Sequence, residues 1–198
     1  YDRISGVPGA FARTSRGIEL MLERSLPLKV KTQVLSLNLG HLPRIKRFLE
    51  QRGLTFTANP LLFPALDRDP AALSYRIRPD QLHRFKGFSG CGKAERSVER
   101  EYLFECSLTR GMNLYVDPQG RLSLCQLLRY PSADLLREPL AAARHRLIAA
   151  ARRRKVTSRD GCSSCTARSG CFNCPGRAYL ETADAESRIP YYCRIAGR

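Results

Sequence analysis

The chain has 198 residues, 43% of them hydrophobic, enough for one ordinary domain or two small ones with a packed core; disordered and fibrous classes are excluded. No apolar run reaches the roughly eighteen residues of a membrane span, and the opening YDRISGVPGAFAR lacks the layered composition of a secretory signal, so a soluble cytoplasmic chain is expected. The net charge of +16 is evenly spread, with 15 basic against 7 acidic residues through position 90 and 19 against 11 beyond it, so no basic arm is set aside for nucleic acid. The one dense run, Arg152 to Lys155, ends a helical stretch, where the helix dipole favours cations without any ligand.

In chain order, GAFARTSRGIELMLER reads as a helix, with Phe11, Ile18, Met21 and Leu22 on one face. The segment LKVKTQVLSLN (28–38) alternates and then turns wholly apolar, which predicts a largely buried strand. HLPRIKRFLEQRG follows as a helix: Leu42, Ile45 and Leu49 form its inner stripe, Pro43 suits the first turn and Gly53 the left-handed residue that ends it. LTFTANPLLF predicts a second strand. This order implies parallel strands joined by helical crossovers. Two strands leave bare edges, so further strands are expected upstream or in a partner chain, and the Tyr start is read as that of a fragment.

Residues 64–90 are rich in Pro, Gly and charge and read as a connector with one short helix near DQLHRFKG. MNLYVDPQGRLSLC places two short strands around Asp117-Pro118-Gln119-Gly120, a hairpin on a type I turn that delivers Cys125 to its end. Residues 137–155 form an Ala-rich helix with a stripe through Leu140, Ala143, Leu147 and Ala151, and PGRAYLETADA predicts the last helix.

Cysteine divides the chain: Cys91, Cys106, Cys125, Cys162, Cys165, Cys171, Cys174 and Cys193 all lie beyond residue 90. Three chemistries compete for them. Disulfides suit an even count, but C-x2-C pairs close loops too tight for ordinary bridges and no secretory signal accompanies them. Two zinc sites of four thiolates each would use all eight, yet zinc ribbons usually separate their C-x2-C pairs by about 15 to 20 residues, whereas only TARSG lies between Cys165 and Cys171. Iron–sulfur clusters need four thiolates around a larger core, which suits a compact run with a distant fourth ligand.

The run Cys106, Gly120, Cys125, then C-x2-C-x5-C-x2-C-P from Cys162 to Pro175 and a last Cys193 resembles the seven-cysteine signature of the SPASM (twitch-type) domain of radical S-adenosylmethionine enzymes. The opening through residue 38 resembles the stretch after the fourth strand of their partial barrel, so the resemblance spans nearly the whole chain. It implies an α/β chain: the C-terminal strands and helices of a partial (β/α) TIM-like barrel over 1–67, a connector over 68–90, and a small α+β SPASM domain with a β-hairpin over 91–198. Carried onto this sequence, it implies one auxiliary [4Fe-4S] cluster on Cys91, Cys106, Cys125 and Cys174 and a second on Cys162, Cys165, Cys171 and Cys193. In two-cluster ferredoxins, likewise, the last cysteine of a compact run, followed by Pro, serves the other cluster.

The family signature has three residues where this chain has Phe172 and Asn173, and Cys91 stands farther from Cys106 than in sulfatase-maturating members. No CxxxCxxC triple occurs, so the chain cannot start a radical alone; S-adenosylmethionine and a third cluster belong to the full-length parent, where cofactor cleavage yields a radical that abstracts hydrogen. The implied partners are a peptide or protein substrate and a reductase such as a flavodoxin or ferredoxin, with no nucleic acid and no membrane. Asn38, at the end of the first strand, resembles an Asn common at the barrel mouth and is the cofactor-binding candidate; capping of the next turn is its other reading. Arg3 is considered for a cofactor carboxylate by resemblance only and reads first as a surface arginine, and His41, His83 and His145 read as surface residues. Tyr179, Glu181, Tyr191 and Tyr192 flank ligand positions and are candidates for a shell that controls solvent access and potential; core packing explains the aromatics equally well. Two oxidised clusters at about −2 each would lower the net charge to about +12. Readings from other classes are a stand-alone iron–sulfur electron-transfer or partner-binding module and a zinc-stabilised basic nucleic-acid binder.

Overall fold

The structure is a computed structural model that describes residues 1–81, 101–109, 113–157, 162, 165–167 and 171–196. It is mixed α/β and resolves into two compact units, 1–62 with 75–92, and 63–74 with 93–198. The expected connector is thus shared between them: its first part, through residue 74, groups with the second unit and its described remainder, 75–81, with the first. Among the described residues no closed barrel occurs, and no helix is long and apolar enough to cross a membrane.

In the first unit, α1 (Asp2–Ser5) and α2 (Ala10–Glu23) precede β1 (Val30–Gln33), α3 (Leu42–Glu50) and β2 (Phe56–Asn59). The strands pair in parallel with Val30 opposite Phe56 and Gln33 opposite Asn59, as a helical crossover through α3 requires. Both are shorter than the sequence pattern predicts. The chain leaves the ladder after Val34, whose N–H still reaches Asn59 O at 2.8 Å; Ser36 N–H then turns to Tyr75 O at 2.9 Å. Leu42 and Leu49 of α3 are buried, and Val34, Leu42, Ala58 and Ile77 form the core. Gly53 follows α3 at φ 68°, a left-handed conformation that glycine adopts without a Cβ penalty.

Helix α2 buries less than its periodicity suggests. Ile18, Met21 and Leu22 are half-buried, while Phe11 is 49% exposed and meets the rings of Tyr1 and Phe48, at 6.0 and 5.8 Å between centroids. Its N-terminus is held by Asp2, whose carboxylate accepts the N–H groups of Gly9 and Phe11 at 2.7 Å each. Those backbone hydrogen bonds hold the Asp2 carboxyl below the usual aspartate range.

The second unit holds α4 (Glu105–Thr109), the antiparallel strands β3 (Tyr115–Val116), β4 (Arg121–Ser123) and β5 (Ser132–Asp134), then α5 (Leu140–Arg153), α6 (Pro175–Thr182) and α7 (Pro190–Ile195). The hairpin β3–β4 forms where it is predicted. Gly120 N–H donates to Asp117 O at 2.9 Å, Asp117 N–H to Arg121 O at 3.1 Å, and Gly120 sits at φ 78°, so the type I turn ends in a left-handed bulge residue. The Asp117 carboxylate fixes this loop by accepting the Gln119 and Arg121 N–H groups. Strand β5, which has no sequence periodicity of its own, adds to the far side of β4.

One sheet face carries Leu122 and Ala133 onto α5, where Ala143, Leu147 and Ala151 are fully buried with Leu103, Phe104, Leu124 and Leu128. Leu140 departs from the expected stripe: it lies in the first turn of α5 and projects into solvent. The helix predicted near DQLHRFKG lies, past Gln81, outside the described residues.

Candidate metal centre

Seven of the eight cysteines fall among the described residues, and all seven are free thiols; Cys91 lies outside them. Short elements bring the seven from distant parts of the chain. Cys106 lies in α4, Cys125 two residues beyond the end of β4, Cys174 at the N-cap of α6 and Cys193 in α7, while Cys162, Cys165 and Cys171 belong to the segment between α5 and α6.

The thiols sort into two electrostatic groups. Burial is the main cause that pushes the Cys125 thiol up; the Leu128 and Leu127 N–H groups oppose it, and Cys174 and Cys106 reinforce it by repulsion. The Leu128 N–H stands 3.3 Å from Cys125 Sγ. Cys171 is likewise pushed up first by burial, opposed by the Asn173 N–H at 3.4 Å, and raised further by Cys162, Cys193 and Cys165. Cys125 thus senses Cys106 and Cys174, whereas Cys171 senses Cys162, Cys165 and Cys193. A buried thiol among other thiols is costly to ionise unless a cation compensates, and ionisation is what metal ligation demands. As the side chains stand, no three His, Cys, Asp or Glu residues among those described form a ready single-ion site.

Three residues around the thiols sharpen the picture. Asn173 sits between the groups in sequence and donates its Nδ2 to Cys162 Sγ at 3.3 Å and to Ser187 O at 3.2 Å, yet its Oδ1 is buried without a partner. Arg177, on the first turns of α6, donates to Phe172 O and lies 5.9 and 6.0 Å from the ring centres of Phe63 and Tyr192. Its Nε is buried and unpaired, and no carboxylate meets the guanidinium among the described residues. A cation held in this way is suited to an anionic neighbour. Gly176 presses α6 against the Cys125 loop: a Cβ there would stand 2.7 Å from Leu127 Cβ and 3.4 Å from Cys125 Sγ.

Of the flanking residues, Tyr191 and Tyr192 are buried and meet edge to face at 5.4 Å, with Cys171 Sγ 3.9 Å from Tyr192 O; Glu181 is half-buried and Tyr179 is exposed. Asn38 spends both ends of its amide on its own turn: Nδ2 donates to Gln33 O and Oδ1 accepts Leu35 N–H, each at 2.8 Å. That is the turn-capping arrangement, and a cofactor there would have to displace it. Arg3, His41 and His145 are exposed. Sequence reasoning missed Asn173 and Arg177, whose roles emerge only once the loop and α6 converge. Set against protein-family models, curated proteins and solved structures, the chain matches none.

Proposed function

We propose that this chain is the C-terminal part of a radical S-adenosylmethionine enzyme, its first unit the end of the partial barrel and its second a SPASM domain for two auxiliary [4Fe-4S] clusters. The observation that carries the reading is the grouping of the thiols: Cys125 is repelled by Cys106 and Cys174, and Cys171 by Cys162, Cys165 and Cys193. The donor set fits, being all-sulfur and free, and the half-buried Arg177 on α6, its Nε buried without a partner among the described residues, is a cation on the helix that begins at Cys174. Cys91 would complete the first set by resemblance. Bound clusters would supply one-electron acceptor and relay chemistry during hydrogen abstraction from a peptide or protein substrate.

The chain's own residues perform the surrounding work. Backbone N–H groups of Leu128 and Asn173 reach cysteine sulfurs and stabilise them as thiolates. Buried Tyr192, whose carbonyl lies 3.9 Å from Cys171 Sγ, and its ring neighbour Tyr191 exclude water beside that thiol, and Asn173 orients Cys162. Anaerobic reconstitution with iron and sulfide tests the reading. About eight irons and eight sulfides per chain, falling by about half in Cys125→Ala and again by half in Cys165→Ala taken alone, are expected. About two zincs with no sulfide-dependent absorption would overturn it in favour of structural zinc.

A further inference from the structure

The Phe172–Asn173 peptide is trans, so its C=O and N–H point in opposite directions. The C=O accepts from the Arg177 guanidinium, and the N–H is directed at Cys171 Sγ, 3.4 Å from the Asn173 nitrogen. A cation at one end of a peptide unit polarises it and strengthens the hydrogen bond made at the other end.

The side chain of Asn173 adds a second donor. Its orientation is fixed by Ser187 O, 3.2 Å from Nδ2: a carbonyl can only accept, so the amide nitrogen and not Oδ1 lies on that side. The other Nδ2 hydrogen then faces Cys162 Sγ at 3.3 Å, where the sulfur accepts. Oδ1 is left buried without a partner among the described residues, which an apolar side chain of the same size would avoid. Packing therefore does not account for the amide, and its N–H groups do. Asn173 donates twice, to two sulfurs of the same thiol group. At Cys125, by contrast, the donors are the main-chain N–H groups of Leu127 and Leu128, which any residue except proline would supply.

We propose that Asn173 and Arg177 set the reduction potential of the cluster held by the second thiol group, Asn173 by donating to Cys162 and Cys171, Arg177 by polarising the peptide whose N–H reaches Cys171. This rests on the cluster reading above. The step is the transfer of one electron from a low-potential donor to the cluster, whose total charge goes from about −2 to about −3, with no bond made or broken and no proton moved. Hydrogen bonds donated to the sulfurs stabilise the more negative state, so both residues raise the potential.

Anaerobic reconstitution of the full chain, then electron paramagnetic resonance at poised potentials with dithionite as electron donor, tests this, with iron and sulfide counted on the same samples. Wild type should show two one-electron waves, and Cys125→Ala should retain the one that belongs to the second group. At the potential where half of that cluster is reduced in wild type, Asn173→Leu should lower its reduced-to-oxidised ratio about tenfold, a shift of about 59 mV for one electron, and leave the other wave in place. Arg177→Met keeps a stem against the Phe63 and Tyr192 rings and should lower the same ratio about threefold. Asn173→Asp, which sets an acceptor and a negative charge against the sulfur, should lower it further than leucine does. A wave unmoved in both Asn173 variants with about eight irons bound would overturn the role of Asn173, and one unmoved in Arg177→Met would overturn that of Arg177. Both waves moving together, or iron falling to about four in both Asn173 variants, would make the loop a structural support and overturn the proposal. Zinc without sulfide in the wild-type chain would sink the cluster reading and the proposal with it, whereas eight irons with unmoved waves would sink the proposal alone.

Discussion

Replacing Gly176 by alanine sets two effects of known size against each other. Alanine is the better helix former by about 1 kcal/mol in a helix interior, and Gly176 lies in the first turn of α6, where the gain is smaller. Against it stands a Cβ 2.7 Å from Leu127 Cβ, well inside contact distance and against an atom fixed to the backbone rather than the end of a flexible side chain. Overpacking of this kind costs about 1–3 kcal/mol, so the net expectation is destabilisation by about 1–2 kcal/mol, or about 4–10 °C in Tm for a domain of this size. Gly17→Ala is the matched control. Gly17 lies inside α2 with nothing within 4 Å of the new methyl, and the same chemical change there should stabilise by about 0.4–1 kcal/mol. Thermal and urea unfolding of the metal-free chain, followed by far-ultraviolet circular dichroism, reads both. A Gly176→Ala midpoint at or above wild type would show that the Leu127 loop yields freely and would refute the reasoning. Since the new methyl also lies 3.4 Å from Cys125 Sγ, iron uptake by the first thiol group should fall while the second is unaffected.

Leu147→Ala empties the centre of the second core, where Leu147 is fully buried among Leu103, Phe104, Leu122 and Leu124; a loss of about 2–5 kcal/mol is expected in the same unfolding assay, and less than 1 kcal/mol would place the core elsewhere. Asp2 supplies the pH dependence of α2. Its folded pKa is lowered, so its stabilisation is complete above the ordinary aspartate range and fades as pH falls through the folded value; amide shifts of Gly9 and Phe11 should move together at that pH and stay flat in Asp2→Asn.

What the sequence disclosed and what it withheld follow the range of the interactions involved. Helix α5 is legible because Ala143, Leu147 and Ala151 repeat at helical spacing, and the hairpin because Asp117, Pro118 and Gly120 specify a turn without outside help. Strand β5 and helices α4 and α7 carry no such signal: three, five and six residues are too few to show a period, and each is held by what it packs against. Phe11 and Leu140 show the converse, since periodicity names a face but not whether anything covers it. Spacing marked the cysteines as ligand-like without saying which belong together; that division came from family resemblance. Asn38 was legible in place but ambiguous in role, because a turn-capping amide and a ligand-facing one leave the same mark on a sequence.

The order in which the two thiol groups occur along the chain governs when each can be completed. The first group opens at Cys106 and closes at Cys174, while the second opens at Cys162, before that closure, and ends at Cys193. Neither group can be cut out as a contiguous segment without taking part of the other. A chain emerging from the ribosome holds Cys106 and Cys125 open until α6 has been made, and the second group waits for α7. Neither group therefore closes before α6 has been made, and a nick between α5 and Cys162 would leave each fragment short of thiols for the first group.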